Sequence, residues 1–229
     1  MTPPTTTFWP YGTVYGTLLN SRAELAALGD QPNQPPYKAP PKAPVLYIKT
    51  ANTWSPSGSA IAVPLDVPRV EVGASVAIVM GPPRFDIPGT DVAPGVAGFV
   101  LVNDLSIPHA SFFRPPVKFK CLDGFLGLGP HCVAPPDAGN PDTLVIDVHI
   151  NGELRQSVDF SDVHRDAVSL LNDVASFMSL RPGDLLLLGC AAGRPLAGVG
   201  DRIDITVRGR PAFGTLSNTL VAPTPPEAP

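Results

Sequence analysis

Cysteine is scarce in this chain, and its pattern excludes two classes of stabilised domain. The 229 residues include three cysteines, Cys121, Cys132 and Cys190, with no C-x-x-C pair among them. An odd number without paired spacing argues against a zinc site and against a disulfide framework. Reduced thiols are typical of cytoplasmic proteins, so the cytoplasm is the expected location.

Long apolar runs and clusters of basic residues are also missing. No apolar run approaches the ~20 residues that a membrane helix needs, and the first residues contain no basic segment followed by an apolar one. A signal peptide is therefore not expected. The 16 Lys and Arg are scattered among 20 Asp and Glu, for a net charge of −4. We expect neither a nucleic-acid partner nor a membrane partner.

Proline is abundant, and its 30 residues exclude a fold made mostly of long helices. Short β-branched and apolar runs lie between the prolines and predict eight strands. These runs are 12–19, 45–49, 60–64, 74–80, 97–102, 144–150, 184–189 and 202–207. Asn151 and Gly152 predict a type I′ hairpin turn after the sixth run.

Two segments are predicted to be helical. Residues 21–29 begin with Ser and end with Gly. Residues 162–179 repeat apolar side chains at 3- and 4-residue spacing, with His164 in the first turn. The pattern predicts a β-dominated α+β fold in a single domain spanning 1–229, with extended tails at 1–10 and 222–229.

Six short motifs follow one another in a recognisable order. They are KAPVLYIK at 42–49 with NT at 52–53, AGFVLVND at 97–104, KCLDGF at 120–125, VHINGELRQ at 148–156, LRPGD at 180–184 and VGD at 199–201. The first is similar to the pattern P-x-x-F-x-K-x-x-N. Together they resemble the fumarylacetoacetate hydrolase superfamily, and the resemblance implies a mixed β-sandwich or roll with a few short helices.

Two further segments narrow the resemblance within that superfamily. PYKAPPK at 36–42 and SFFRPPVKFKCLDGF at 111–125 are similar to the N-terminal half, or small separate subunit, of homoprotocatechuate-pathway isomerase/decarboxylases. The resemblance implies decarboxylation of 5-oxopent-3-ene-1,2,5-tricarboxylate and isomerisation of 2-hydroxyhepta-2,4-diene-1,7-dioate, in the degradation of 4-hydroxyphenylacetate.

The resemblance also implies a metal centre, which this sequence has largely lost. Family members hold Mg²⁺ or Mn²⁺ with a Glu-x-Glu pair and one Asp, because residues i and i+2 of a strand face the same way. Here the two glutamate positions fall on Gly73 and Ser75, and Asp104 alone remains. Glu71 is a possible replacement ligand. We therefore expect the metal to be absent or weakly bound.

Other polar residues complete the candidate site. Glu24 stands where the family has the histidine of its acid/base dyad, and Lys120 and Asp123 are the other catalytic candidates. A structural ion pair between these last two residues is an alternative interpretation. The candidate substrate-binding residues are Lys49, Asn52 and Arg114.

Three functional hypotheses remain open. The first is a metal-poor subunit of the isomerase/decarboxylase, in a homodimer or a heterodimer with a metal-binding homologous subunit. The second is an independently active acylpyruvate hydrolase or 2-oxoacid decarboxylase with a site rearranged around Glu71, Asp104 and Lys120. The third is a non-catalytic homologue that binds small dicarboxylates or serves as a scaffold. In each case the expected small-molecule partner is an anionic di- or tricarboxylate.

Overall fold

Fourteen strands and four short α-helices lie within the residues that the computed structural model describes, which are 8–82, 95–109 and 114–223. The strands are β1 Val14–Leu18, β2 Val45–Lys49, β3 Trp54–Pro56, β4 Ala60–Ala62, β5 Val70–Glu71, β6 Ala74–Met80, β7 Val96–Asp104, β8 Leu126–Val133, β9 Val145–Ile150, β10 Glu153–Asp159, β11 Leu185–Leu187, β12 Leu196–Ala197, β13 Arg202–Val207 and β14 Thr215–Val221. The helices are α1 Arg22–Ala27, α2 Val117–Lys120, α3 Pro135–Ala138 and α4 Ala167–Ala175.

Two larger sheets and one small one organise these strands. The seven-stranded sheet has the order β2-β1-β11-β6-β7-β8-β3, and the five-stranded sheet has the order β10-β9-β13-β14-β4. The pairs β1–β11, β3–β8 and β4–β14 are parallel, whereas β5 and β12 form a separate antiparallel pair. The predicted β-dominated α+β class is confirmed. No helix among the described residues is long and apolar enough to cross a membrane.

Both faces of the seven-stranded sheet are covered by apolar side chains. On one face, β6 and β7 contribute to the main core, which also includes side chains of the five-stranded sheet and of α4. On the other face a second cluster contains Ala77 and Val79 of β6 together with Val100 and Val102 of β7. All seven residues of β6 are therefore buried, which explains why its sequence is a continuous apolar run without polar alternation.

The register of β6 and β7 decides where the candidate site lies. Ser75 is paired with Val102 and Ala77 with Val100, so these side chains share the face of the second cluster. Asp104 follows Val102 by two residues on β7 and extends this face at its polar end. The site is therefore built at one end of the second apolar cluster.

Each of the eight predicted strands coincides with an observed one. The hairpin turn is also confirmed, because Asn151 and Gly152 have positive φ values of 54° and 82° and connect β9 to β10. None of the eight runs covers β3, β5, β8, β10, β12 or β14, although the predicted hairpin implies a strand at the place of β10. Two of these, β5 and β12, have only two residues each and carry no detectable periodicity.

The second predicted helix begins later than expected. Residues Phe160–Asp162 form a 3-10 turn, and Val163 makes an isolated β-bridge with Ser21. The helix α4 starts only after Asp166, whose side chain accepts a hydrogen bond from the Ser169 N–H as an N-cap. The placement of His164 in the first helical turn was therefore wrong.

The predicted tails fall mainly outside the described residues, at 1–7 and 224–229. Of the remainder, Phe8 donates its backbone N–H to the carbonyl of Pro130 at 3.0 Å. The ring of Trp9 lies edge-on to Trp54 with 6.0 Å between the ring centroids. This part of the predicted N-terminal tail thus contacts the seven-stranded sheet.

Substitution of Leu170 tests the packing of α4. Its side chain is fully buried in the main core, so Leu170→Ala should lower the free energy of unfolding by about 2–5 kcal/mol. Val168 on the same helix is 37% exposed, and Val168→Ala, the matched control, should change that free energy by less than about 0.5 kcal/mol. Urea denaturation followed by circular dichroism measures both. Equal losses would contradict the observed orientation of the helix.

Candidate functional site

The carboxylate of Asp104 lies at the centre of the candidate site and is completely buried. The Lys49 ammonium is 2.8 Å from its Oδ1 atom, and the Lys120 ammonium is 2.7 Å from its Oδ2 atom. The hydroxyl of Tyr47 also donates to Oδ2. Both carboxylate oxygens are therefore occupied by cationic or hydrogen-bonding groups of the chain itself.

The alternation of β2 directs Tyr47 and Lys49 to the same side of the sheet. Gly16 is the register partner of Tyr47, and a Cβ atom at this glycine would lie 2.0 Å from the tyrosine ring. A residue with a side chain at this position would thus displace the ring. Lys120, at the end of α2, lies with its ammonium 4.8 Å from the centroid of the same ring, within the range of a cation–π contact.

Lys49 makes further contacts that explain how an ammonium can be buried here. Its Nζ atom donates to the carbonyl oxygens of Leu105, Lys120 and Phe125 at 3.1, 2.5 and 2.8 Å. Burial lowers the pKa of Lys49, although the negative charge of Asp104 opposes that effect. The carbonyl contacts and the carboxylate together replace the water that the ammonium has lost.

Burial and the neighbouring charges act in opposite directions on Asp104. Burial alone would raise its pKa, but the positive charges of Lys120 and Lys49 outweigh burial and hold the pKa well below its ordinary value. Burial, and then the charge of Asp104, raises the pKa of Tyr47 well above its ordinary value. The tyrosine hydroxyl therefore stays protonated at neutral pH and can donate a hydrogen bond to the carboxylate.

A second ion cluster joins α1 to β5. The guanidinium of Arg194 lies 3.0 Å from the Glu24 carboxylate and 2.8 Å from the Glu71 carboxylate. The three side chains are 14%, 11% and 18% exposed, so water screens this cluster only partly. Glu71, the possible replacement ligand, is therefore bound to an arginine.

Cys190 lies between the two ion clusters. Its sulfur is 3.9 Å from the Oδ2 atom of Asp104. Burial, followed by the charge of Asp104, raises the pKa of the thiol to about 12, whereas the positive charges of Lys120 and Arg194 oppose this rise. The sulfur is therefore a neutral thiol at physiological pH and a poor nucleophile.

The described residues do not fit a divalent metal at the position that the resemblance implies. Gly73 has no side chain, and a Cβ atom there would lie 2.3 Å from the Asp104 carbonyl oxygen. Ser75 donates its hydroxyl to the Gly189 carbonyl at 2.6 Å. In the described part of the chain, no three His, Cys, Asp or Glu side chains are grouped as metal ligands. A hard cation that needs about six oxygen ligands is not accommodated by this arrangement.

The remaining candidates are Asn52, Asp123 and Arg114. Asn52 donates to the Asp123 carboxylate at 2.7 Å, whereas Lys120 is paired with Asp104. The alternative of a structural ion pair between Lys120 and Asp123 is therefore wrong. Arg114 lines a cleft of about 560 Å³ between β2 and α2.

Tyr47 and Lys120 separate this cleft from Asp104. Both side chains belong to the cleft wall, along with Arg114, while Asp104 has no exposed surface. The other wall residues are mainly apolar: Leu18, Val45, Leu46, Ile48, Pro115, Pro116 and Val117. The cleft thus combines two cationic side chains with an apolar surface.

Three residues of the site were missed by the sequence analysis: Tyr47, Cys190 and Arg194. A signal for Tyr47 was present, because it occupies the Phe position of the pattern P-x-x-F-x-K and adds a hydroxyl there. Arg194 lies 123 residues from Glu71 and 170 from Glu24 along the chain. No local spacing could have indicated these two ion pairs.

Comparison with known proteins identifies the family. The sequence model described as fumarylacetoacetate (FAA) hydrolase C-terminal matches residues 13–221. The chain belongs to the fumarylacetoacetate hydrolase family. The motifs quoted above were therefore correctly assigned.

Curated relatives narrow the assignment further. The chain is 38% identical over 210 residues to the 4-hydroxyphenylacetate degradation bifunctional isomerase/decarboxylase of Escherichia coli, a match that covers 92% of this chain and 47% of the relative. The chain therefore spans about half the length of these curated relatives. That the matched half is the N-terminal one stays a prediction.

Solved structures of this family share the fold. A 5-carboxymethyl-2-hydroxymuconate delta-isomerase from Mycobacterium smegmatis is 27% identical, with a TM-score of 0.72 over 93% of this chain and 79% of that chain. A fumarylpyruvate hydrolase from Pseudomonas aeruginosa, in complex with Mn²⁺ and pyruvate, has a TM-score of 0.74 at 23% identity over 94% of this chain and 91% of that chain. A divalent metal therefore occurs in the family, on the same fold.

Replacing Asp104 by Asn should destabilise the protein strongly at neutral pH. The change leaves Lys49 and Lys120 buried without their opposite charge, and the free energy of unfolding should fall by about 3–5 kcal/mol. The folded-state pKa of Asp104 is depressed, so its ionised form stabilises the fold above the unfolded-state pKa of about 4. This contribution is lost as pH falls through the folded-state pKa. The difference between the two proteins should therefore narrow below about pH 4.

Chemical denaturation between pH 7 and pH 3 measures this difference. Asp147→Asn is the control, because Asp147 pairs at 2.6 Å with the exposed Arg208 and should cost less than about 1 kcal/mol. If Asp104→Asn cost no more than this control at pH 7, the central position of the Asp104 carboxylate would be refuted.

Proposed function

We propose that this chain is a subunit of an aromatic-catabolic isomerase/decarboxylase and pairs with a homologous, metal-binding subunit. The proposed substrates are 5-oxopent-3-ene-1,2,5-tricarboxylate and 2-hydroxyhepta-2,4-diene-1,7-dioate. The similarity to the bifunctional isomerase/decarboxylase supports the pathway.

The observation that carries the proposal is the state of Asp104. A lone carboxylate remains at the family's metal position, and Lys49 and Lys120 already occupy both of its oxygens. A chain with this arrangement lacks the oxygen ligands that would hold Mg²⁺ or Mn²⁺ against a 2-oxo or 2-hydroxy acid. The chemical step would then take place on the partner subunit.

The cleft between β2 and α2 indicates the class of ligand. Its volume of about 560 Å³ is within the range of small-molecule sites. Arg114 forms no ion pair with any other described residue, so its guanidinium is available for a carboxylate. The apolar wall suits the hydrocarbon segment between two carboxylate groups.

A second candidate function is a homologue that binds dicarboxylates without turning them over. The same cleft favours it, because binding needs Arg114 and the apolar wall but no metal. An independently active enzyme with a rearranged metal site is less well supported. Its candidate ligands Glu71 and Asp104 are each paired with cations of the chain.

Partner-dependent turnover tests the proposal. The purified chain, a metal-binding homologous subunit and their mixture are each assayed with the tricarboxylate and Mg²⁺, and CO₂ release is measured. We expect no turnover by this chain alone and at least a tenfold gain (about 1.4 kcal/mol in barrier) when it is added to the partner. Full activity of the lone chain would overturn the proposal.

Two further measurements separate the candidate functions. Calorimetric binding of the tricarboxylate to the lone chain without turnover in any mixture would favour the binding homologue. Arg114→Ala should weaken this binding by at least about tenfold, since a charged hydrogen bond contributes roughly 1.5–3 kcal/mol. The matched control is Arg155→Ala, whose guanidinium is 48% exposed in β10 and pairs with Glu153 at 3.7 Å.

A further inference from the structure

Three acidic and three basic side chains surround the position that a divalent metal takes in the family. Asp104 is paired with Lys49 and Lys120, and Arg194 is paired with both Glu24 and Glu71. Three negative and three positive charges balance, so the formal charge of the group is zero. The group is called here the ion network.

The two halves of the ion network meet around Cys190. The thiol lies 3.9 Å from the Asp104 carboxylate, and a Cβ atom at Gly73 would be 3.0 Å from its sulfur. Arg194 and Glu24 also act electrostatically on this thiol. The two ion clusters therefore share one small region at the end of the second apolar cluster.

We propose that the cations of the ion network take the place of the divalent metal and close the site to Mg²⁺ and Mn²⁺. Two lysine ammonium groups supply Asp104 with the two positive charges that the metal supplies in the family. Arg194 pairs with both Glu24 and Glu71 and offsets one of their two negative charges. This inference concerns the same site as the proposed function. It rests on that function only for the identity of the metal that the ion network replaces.

Charge repulsion is the first reason that a divalent cation is excluded. Within coordination distance of Asp104, the cation would face two ammonium groups already 2.7–2.8 Å from the same carboxylate. Coulomb repulsion between like charges a few ångströms apart is large in a buried site. The ammonium of Lys49 cannot easily withdraw, because three backbone carbonyls also hold it.

Access is the second reason. Tyr47 and Lys120 line the cleft, and each of them binds the Oδ2 atom of Asp104 behind it. A cation that entered from the cleft would first have to displace both side chains. The family pattern has Phe at this position and therefore has no hydroxyl there. In this chain the hydroxyl of Tyr47 is a third group, beside the two ammonium groups, that blocks access to Asp104.

Arg194 supplies a structural connection as well as a charge. Glu24 belongs to α1, and Glu71 belongs to β5, which is paired with the strand that follows Arg194. Through these two ion pairs, the arginine fixes the short helix α1 beside the site. Removal of the guanidinium would leave two partly buried carboxylates without a cation between them.

Mn²⁺ binding tests the proposal without any measurement of turnover. Free Mn²⁺ is quantified by its electron paramagnetic resonance signal during titration of the full chain at neutral pH. The wild-type protein should leave the signal unchanged up to millimolar Mn²⁺. Lys120→Met leaves Asp104 with one ammonium group instead of two, and Arg194→Gln leaves Glu24 and Glu71 without their cation. Each variant should bind one Mn²⁺ at least about tenfold more tightly than the wild type, because a positive charge has been removed nearby.

Matched variants control for a general change in charge. Lys118→Met removes an exposed lysine from the same helix as Lys120, and Arg208→Gln removes an exposed arginine paired with Asp147. Neither should gain Mn²⁺ affinity. Circular dichroism verifies folding. Should Lys120→Met fail to fold, Arg194→Gln decides, since the Glu24 and Glu71 side chains keep 11% and 18% of their surface exposed to water, whereas Asp104 has none.

Two results would overturn the proposal. One is stoichiometric Mn²⁺ binding by the wild-type protein. The other is a folded Arg194→Gln variant with the same Mn²⁺ affinity as the wild type and the controls. Mn²⁺ binding is measured without turnover, so this test remains valid even if the proposed enzymatic role is disproved. Likewise, the turnover assay remains valid if the proposed exclusion of the metal is disproved.

Discussion

A carboxylate without access to water must be neutralised by the protein, and this requirement organises the region around Asp104. Isolated burial of its charge would cost far more than a folded domain can tolerate. Lys49 and Lys120 provide the opposite charges at 2.8 and 2.7 Å. These contacts fix the end of β2, the end of α2 and the end of β7 relative to one another. The wall of the cleft depends on that arrangement. So do the packing of the Tyr47 ring against Gly16 and the burial of Cys190.

The chain has the fold of its family, and the resemblance implies a three-carboxylate metal site at positions 73, 75 and 104. The register of β6 and β7 directs Ser75 and Asp104 to one face, and Gly73 precedes β6, where its carbonyl accepts a hydrogen bond from the Asp104 N–H. Gly73 and Ser75 carry no carboxylate, and cations of the chain neutralise Asp104. The fold therefore does not by itself determine whether the site binds metal. That depends on a few side chains at strand ends.

Much of the fold could be predicted because its signals are local. Runs of β-branched residues and the Asn151–Gly152 turn identified strands and a hairpin that the structure contains. The start of α4 was misplaced because Val163 continues the apolar spacing of the helix, although it bridges to Ser21 on a distant segment. Tertiary pairing had overridden a local pattern there.

The candidate site was predictable residue by residue but not contact by contact. The motifs located Lys49, Asp104 and Lys120, yet spacing could not reveal that both lysines bind one carboxylate. Arg194 was invisible for the same reason, since its partners come from elements far away in the chain. Ion pairs of this kind depend on how strands and helices are packed, which a single sequence does not display.

The most direct test of the central claim is a crystal structure of the wild-type protein grown in MnCl₂, with data collected at the manganese absorption edge. The account predicts no anomalous peak within coordination distance of Asp104, with the ammonium groups of Lys49 and Lys120 on its two carboxylate oxygens. An anomalous peak bound to Asp104, with either lysine displaced, would contradict it.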